Sequence, residues 1–200
     1  MDRAVPPPGR GALPPPRRRP GRHARRPRVP SPPPPDRRPA RTATRTHETE
    51  IALDDRVPLV RITRTFDAPP AKVFRAHVDP DLFVQWMGPR DLEMAIDHFD
   101  CRTGGSYRYV NREGDQEYWF FGAFHEVRPD ELIVQTFTFE GMPDGVTLEK
   151  LRFEDLGDGR TRLTGTSLVD SFEDRDAFVA SGMEVGVREG YEKLDELLAS

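Results

Sequence analysis

Along residues 59–66 the apolar side chains Val60, Ile62 and Phe66 fall on one parity, the period of a half-buried strand. Asp67-Ala68-Pro69-Pro70 then reads as a helix start, with Asp67 able to cap and proline suited to the first turn. Val73, Phe74 and His77 follow at helical spacing. Asp79-Pro80 breaks that helix and opens another, which runs to about Trp86 and stops at Gly88-Pro89.

Strand-like runs come next, separated by turn residues. Leu92, Met94 and Ile96 alternate with acidic or small residues, and His98 continues their parity. Arg102 to Gly105 reads as a turn, and Tyr107 and Tyr109 alternate after it. Asn111 to Asp115 reads as a hairpin loop. Tyr118 to Val127 is densely aromatic, and Arg128-Pro129-Asp130 is a turn. Leu132 to Phe139 is a further strand. Val146 to Phe153 and Thr161 to Leu168 flank the hairpin signal Leu156-Gly157-Asp158-Gly159.

The C-terminal part is helical. Ser171-Phe172-Glu173-Asp174 fits a capping box. Met183, Val187, Tyr191, Leu194 and Leu198 form one apolar stripe, and Gly186 and Gly190 interrupt it with small residues that permit close approach. The order predicts an α+β fold: one strand, two short helices, about six antiparallel strands and a long amphipathic helix across one sheet face. Short hairpins exclude a parallel sheet, whose crossovers need a dozen or more residues. A sheet curled around a helix can enclose a cavity.

Composition divides the chain. Residues 1–46 carry 13 basic residues against two acidic ones, with 14 of the 21 prolines. Residues 47–200 carry 17 basic against 32 acidic residues, and all 18 aromatics follow residue 65. The first part reads as a disordered Pro/Arg-rich tail, since its prolines block helix and sheet and its hydrophobicity is low. Residues 51–200 read as the folded domain. The tail is expected to be a solvated extension, or the product of a start codon placed too far upstream in a GC-rich genome. The 27 Arg against three Lys fit such a genome. Contact with nucleic acid or an anionic membrane through the arginines is the alternative. One cysteine, Cys101, excludes an intrachain disulfide and a CxxC motif, and a cytoplasmic location is expected. No apolar run reaches the ~20 residues of a membrane span.

Several motifs in order resemble the activator of heat-shock protein 90 ATPase homologue family. Phe66-Asp67-Ala68-Pro69-Pro70-Ala71-Lys72-Val73-Phe74 is similar to its opening motif. Trp86-Met87-Gly88-Pro89 resembles its Trp-Trp-Gly-Pro element, with Met87 in place of the second Trp. Arg102-Thr103-Gly104-Gly105 matches its Arg-x-Gly-Gly turn, and Gly122 with Glu126 to Leu132 its Gly…Glu-Ile-x-Pro-x-x-Leu stretch. Gly190-Tyr191 stands where a Gly-Trp is common. The resemblance spans residues 57–199. It implies the helix-grip fold, also called START-like, SRPBCC or Bet v 1-like, in which six to seven strands grip the C-terminal helix around an apolar cavity. It implies little about chemistry, because one fold hosts many functions.

The aromatic strands supply the candidate site. Tyr107, Tyr109, Trp119, Phe121, Phe137 and Phe139 each sit on a repeating parity. Turned inward, they line an apolar pocket with a few hydroxyl and indole donors. The competing reading is a filled core. Trp86 closes the second helix near the expected cavity mouth as a packing anchor. His98, at the interior end of its strand by parity, is a candidate acid or base, or a satisfied core or rim histidine. His98-Phe99-Asp100-Cys101 invites a metal reading, but a strand sends His98 and Cys101 to opposite faces, and no metal site is expected. No nucleophile elbow, phosphate loop or dinucleotide fingerprint occurs, and no cofactor is expected. The expected function is binding of a small hydrophobic or amphipathic ligand, with no demonstrated catalysis. The alternatives are a module engaging a chaperone partner, as the family name suggests, and a polyketide cyclase- or hydrolase-like enzyme using His98 or Tyr109. A homodimer is a further expected assembly.

Overall fold

The computed structural model describes residues 48–200, and the proline-rich segment 1–46 lies outside them. The elements are β1 (Glu50–Leu53), β2 (Leu59–Phe66), α1 (Pro70–Val78), α2 (Pro80–Trp86), β3 (Glu93–Phe99), β4 (Ser106–Glu113), β5 (Gln116–Arg128), β6 (Leu132–Phe139), β7 (Thr147–Gly157), β8 (Arg160–Leu168), α3 (Phe172–Ala180) and α4 (Met183–Ala199). The eight strands form one sheet in the order β1-β2-β8-β7-β6-β5-β4-β3, and every pair is antiparallel. This is the helix-grip arrangement with one strand more than the pattern predicts. β1 is that strand. Its four residues are too few for a legible period, and β2 defines it by pairing Ile51 with Ile62.

Local chemistry sets the element ends. Asp79 caps α2 by accepting from the Asp81 backbone N–H, and Pro80 occupies the first turn. α1 starts from Pro69, two residues nearer the helix than the Asp67 cap that the sequence suggests. Ser171 caps α3 by accepting from the Asp174 N–H at 3.1 Å. The expected single long helix is divided, because Gly182 turns the chain with a φ of 87° between α3 and α4.

The inner face of the sheet and one side of α4 share the core. Phe66, Val73, Leu163 and Leu194 are fully enclosed. Phe66 of β2 meets Tyr191 of α4 edge to face, with ring centroids 5.6 Å apart. Arg64, on the same inward parity of β2, pairs with Asp195 of α4 and donates to Thr49 Oγ1. The helical stripe serves two ends: Tyr191, Leu194 and Leu198 are buried, while Met183 and Val187 pack only partly. Gly190 accommodates the end of α2, since a Cβ there would sit 3.2 Å from the Trp86 carbonyl oxygen. It is the end of α2 that approaches Gly190 closely. Among the described residues no helix is long and apolar enough to cross a membrane.

Candidate functional site

A cavity of about 1090 Å³ lies between the inner face of the sheet and the helices. Tyr107 and Tyr109 of β4, Phe120 and Phe124 of β5, and Phe137 and Phe139 of β6 line it, with Trp86, Phe178, Met183 and Tyr191 contributed by helices. Register produces this wall. Tyr109 pairs with Phe120, and Phe120 with Phe139, so their side chains share a face. The rings of Tyr109, Phe120 and Phe137 stack in sequence at centroid spacings of 5.3 Å and 5.3 Å.

Among the residues singled out in the sequence, Trp86, Tyr107, Tyr109, Phe137 and Phe139 line this space. Trp119 and Phe121 do not. Phe120 faces inward with Tyr109, so its neighbours in β5 point to the outer face. Trp119 there donates to Glu117 and lies under the Arg108 guanidinium at 3.8 Å, and Phe121 is exposed. Tyr118-Trp119-Phe120-Phe121 is aromatic on both parities, so composition alone cannot orient this strand.

His98 also lies outside the cavity. A β-bulge between Ile96 and His98 shifts the register of β3 against β4. Ile96 pairs with the inward Tyr109, but His98 pairs with the outward Arg108 and Phe99 with the inward Tyr107. The parity expected for His98 is therefore taken by Phe99, an extra residue having reversed the alternation. His98 is half exposed, within hydrogen-bond distance of Ser106 Oγ at 3.0 Å.

Trp86 is anchored by its indole, which donates to the Ala76 carbonyl at 2.8 Å. His77 packs against it with ring centroids 4.7 Å apart and the ring planes tilted by 53°. The His77 Nδ1 lies 2.8 Å from the Val73 carbonyl, which makes that nitrogen the donor and Nε2 an acceptor. Among the described residues Nε2 has no partner. Burial pushes this imidazole down to about 4, against the weaker pull of the Val73 carbonyl.

The inner sheet face carries a polar row that sequence reading overlooks. Gln135 pairs with Glu149 across β6 and β7, and Glu149 pairs with Ser167 across β7 and β8. Gln135 Nε2 donates to Glu149 Oε2 at 2.9 Å, and Ser167 Oγ donates to Oε1 at 3.2 Å. All three residues line the cavity, and Glu149 is half-buried. Burial raises the Glu149 carboxyl above the ordinary range, partly opposed by the Gln135 and Ser167 hydrogen bonds. Burial likewise raises the hydroxyls of Tyr107, Tyr109 and Tyr191, with the Glu149 charge adding to each. The overlooked signal is a glutamate amid inward apolar positions, between Thr147 and Leu151. It becomes readable only once the inward parity of β7 is known.

Tyr107 joins this row through a gap in β5. Its hydroxyl donates to the Thr136 carbonyl of β6 at 2.8 Å, crossing over Gly122. A Cβ on Gly122 would lie 2.7 Å from that hydroxyl and collide with the carbonyl. The Arg102-Thr103-Gly104-Gly105 turn is structural: Gly104 N–H donates to Phe124 O, and Gly105 O accepts from Phe124 N–H. Cys101 is a poor nucleophile, because burial first and Asp100 second push its thiol up to about 12.

A curved antiparallel sheet, a C-terminal helix held against it and a cavity between them define a helix-grip protein. The chain belongs to the family described as Activator of Hsp90 ATPase homolog 1-like protein, whose model matches residues 67–199. A Rhodobacter sphaeroides crystal structure is 25% identical with a TM-score of 0.70, covering 76% of this chain and 99% of that one. An Arthrobacter aurescens solution structure is 25% identical with a TM-score of 0.69, covering 75% and 91%. The crystal structure of protein Ms6760 from Mycobacterium smegmatis, at 23% identity and a TM-score of 0.69, shares the fold over 75% and 96%. No curated protein matches the chain.

Proposed function

We propose that this domain holds a small apolar or amphipathic molecule in the cavity between sheet and helices. The observation that carries the reading is the stacked aromatic wall around a space of about 1090 Å³. Ligand sites are mostly apolar hollows of roughly 300–1,000 Å³ with a few placed polar groups, and the Gln135-Glu149-Ser167 row supplies such groups here. Native mass spectrometry of freshly purified protein, with thermal shifts against a panel of lipids and aromatics, tests the reading. A bound small molecule or a concentration-dependent rise in melting temperature is expected. An empty spectrum with no shift across the panel overturns it.

A second reading, an acid–base enzyme, gains support from Glu149 rather than from His98. A carboxyl raised by burial beside a cavity suits a general acid. Turnover of any substrate must then vanish in Glu149→Gln while the fold persists. The chaperone-module reading draws its support from the family description alone.

A further inference from the structure

The charged groups around the cavity are of one sign. Glu113, Asp144, Glu149, Asp170 and Asp174 line it, and among the described residues no Lys or Arg does. None of the five is in an ion pair among the described residues, where thirteen other contacts pair an arginine with a carboxylate. Glu113, Asp144, Asp170 and Asp174 are exposed and so stand where the cavity meets solvent. Glu149 lies within, on the central strands of the sheet.

Glu149 is the informative member. Removing an ionised carboxyl from water is costly unless a cation compensates it, and without one the carboxyl holds its proton more tightly. Its two partners are neutral donors, Gln135 and Ser167. The groups that face it from other elements are the hydroxyls of Tyr107 and Tyr109 on β4 and Tyr191 on α4, and each interacts with it unfavourably when ionised. His77, also on the lining, is held neutral near physiological pH. Arg64 is committed to Asp195. Among the described residues no side chain supplies a counter-ion to Glu149, and a cationic ligand would supply one.

An anionic ligand would meet five carboxyl groups and no cation. A cationic head group would meet a carboxyl, and its apolar body would lie against aromatic faces that also attract cations.

We propose that the ligand is an amphipathic amine, whose ammonium group is received by Glu149 while its apolar body occupies the aromatic part of the cavity. This rests on the cavity-binding reading above and adds the charge of the ligand to it. The four rim carboxylates would steer such a cation inward and would weaken in effect as salt rises.

Three fluorescent probes with one apolar body separate the possibilities: pyrenebutylamine, pyrenebutanol and pyrenebutyrate, titrated against the protein near neutral pH. The amine is expected to bind about tenfold or more tightly than the alcohol, and the butyrate most weakly. In Glu149→Gln the amine-to-alcohol preference is expected to shrink to within about threefold. Should that variant not fold, the pH profile of the unaltered protein decides. Amine affinity must rise with pH as Glu149 ionises, while alcohol affinity stays level. Equal affinity of amine and alcohol, or a level amine profile, overturns the charge assignment and leaves cavity binding standing. If none of the three binds, the cavity reading falls and the charge assignment with it.

Discussion

Glu149 and Gln135 stand directly opposite each other on β7 and β6, and the Gln135 amide donates to the Glu149 carboxylate at 2.9 Å inside the cavity. A neutral amide offsets only part of what burial costs that carboxyl, so its protonation is favoured in the folded state. The folded protein therefore binds this proton more tightly than the unfolded chain. The Glu149 contribution to stability is full below the ordinary carboxylate value of 4.5 and is lost as pH rises through the raised folded value. Glu149→Gln should melt higher than the unaltered protein above that window, and the difference should shrink on acidification. Melting curves at several pH values check this.

His77 acts in the opposite direction. Its folded value of about 4 lies below its ordinary 6.5, so the unfolded chain takes up a proton that the folded chain refuses. Stability is present above 6.5 and lost as pH falls toward 4. The full loss amounts to about 3 kcal/mol. His77→Phe keeps an aromatic ring against Trp86 and Phe153 and should flatten this acid limb. Urea titrations at neutral and acidic pH measure the slope.

Gly122 admits the Tyr107 ring. Gly122→Ala places a methyl against the Thr136 carbonyl and the Tyr107 hydroxyl, both part of the sheet between β4 and β6. A cost of about 3 kcal/mol or more is expected, from strain plus the lost hydrogen bond. Tyr107→Phe should cost less, about 1 kcal/mol, because it removes the bond without the clash. Equal losses in the two variants would contradict this account.

Arg64 is buried, and Asp195 is its only acidic partner among the described residues. Asp195→Ala leaves the guanidinium enclosed and unpaired between β2 and α4. Destabilisation of about 3 kcal/mol is expected. Asp195→Ala combined with Arg64→Met should recover much of it. A double mutant no more stable than Asp195→Ala would show that the pair does not hold α4 in this way.

Neighbouring rings of β5 should separate by face. Phe120→Ala opens the cavity wall and is expected to cost about 3 kcal/mol and to alter probe binding. Phe121→Ala, on the exposed outer face, should change stability by less than about 1 kcal/mol and leave probe binding as it was. Parallel chemical denaturation and fluorescence titration distinguish them.

The fold is legible in the chain because its signals are local. Alternation in β2 and β8, the proline helix starts at Pro70 and Pro80, the Gly157-Asp158-Gly159 hairpin and the Ser171 cap each act within a few residues. Together with the family motifs they determine an α+β helix-grip domain. What they leave open is which side of a strand faces the helix, since period two is the same seen from either face. Pairing decided that: β4 turned Phe120 inward and Trp119 outward, and a bulge in β3 exchanged His98 for Phe99. The polar row depends still more on tertiary structure. Gln135, Glu149 and Ser167 are 14 and 18 residues apart along the chain and meet only because three antiparallel strands come into register. Burial then makes an ordinary glutamate a carboxyl that holds its proton more tightly, a property set by the surrounding low-dielectric space rather than by any residue nearby in sequence.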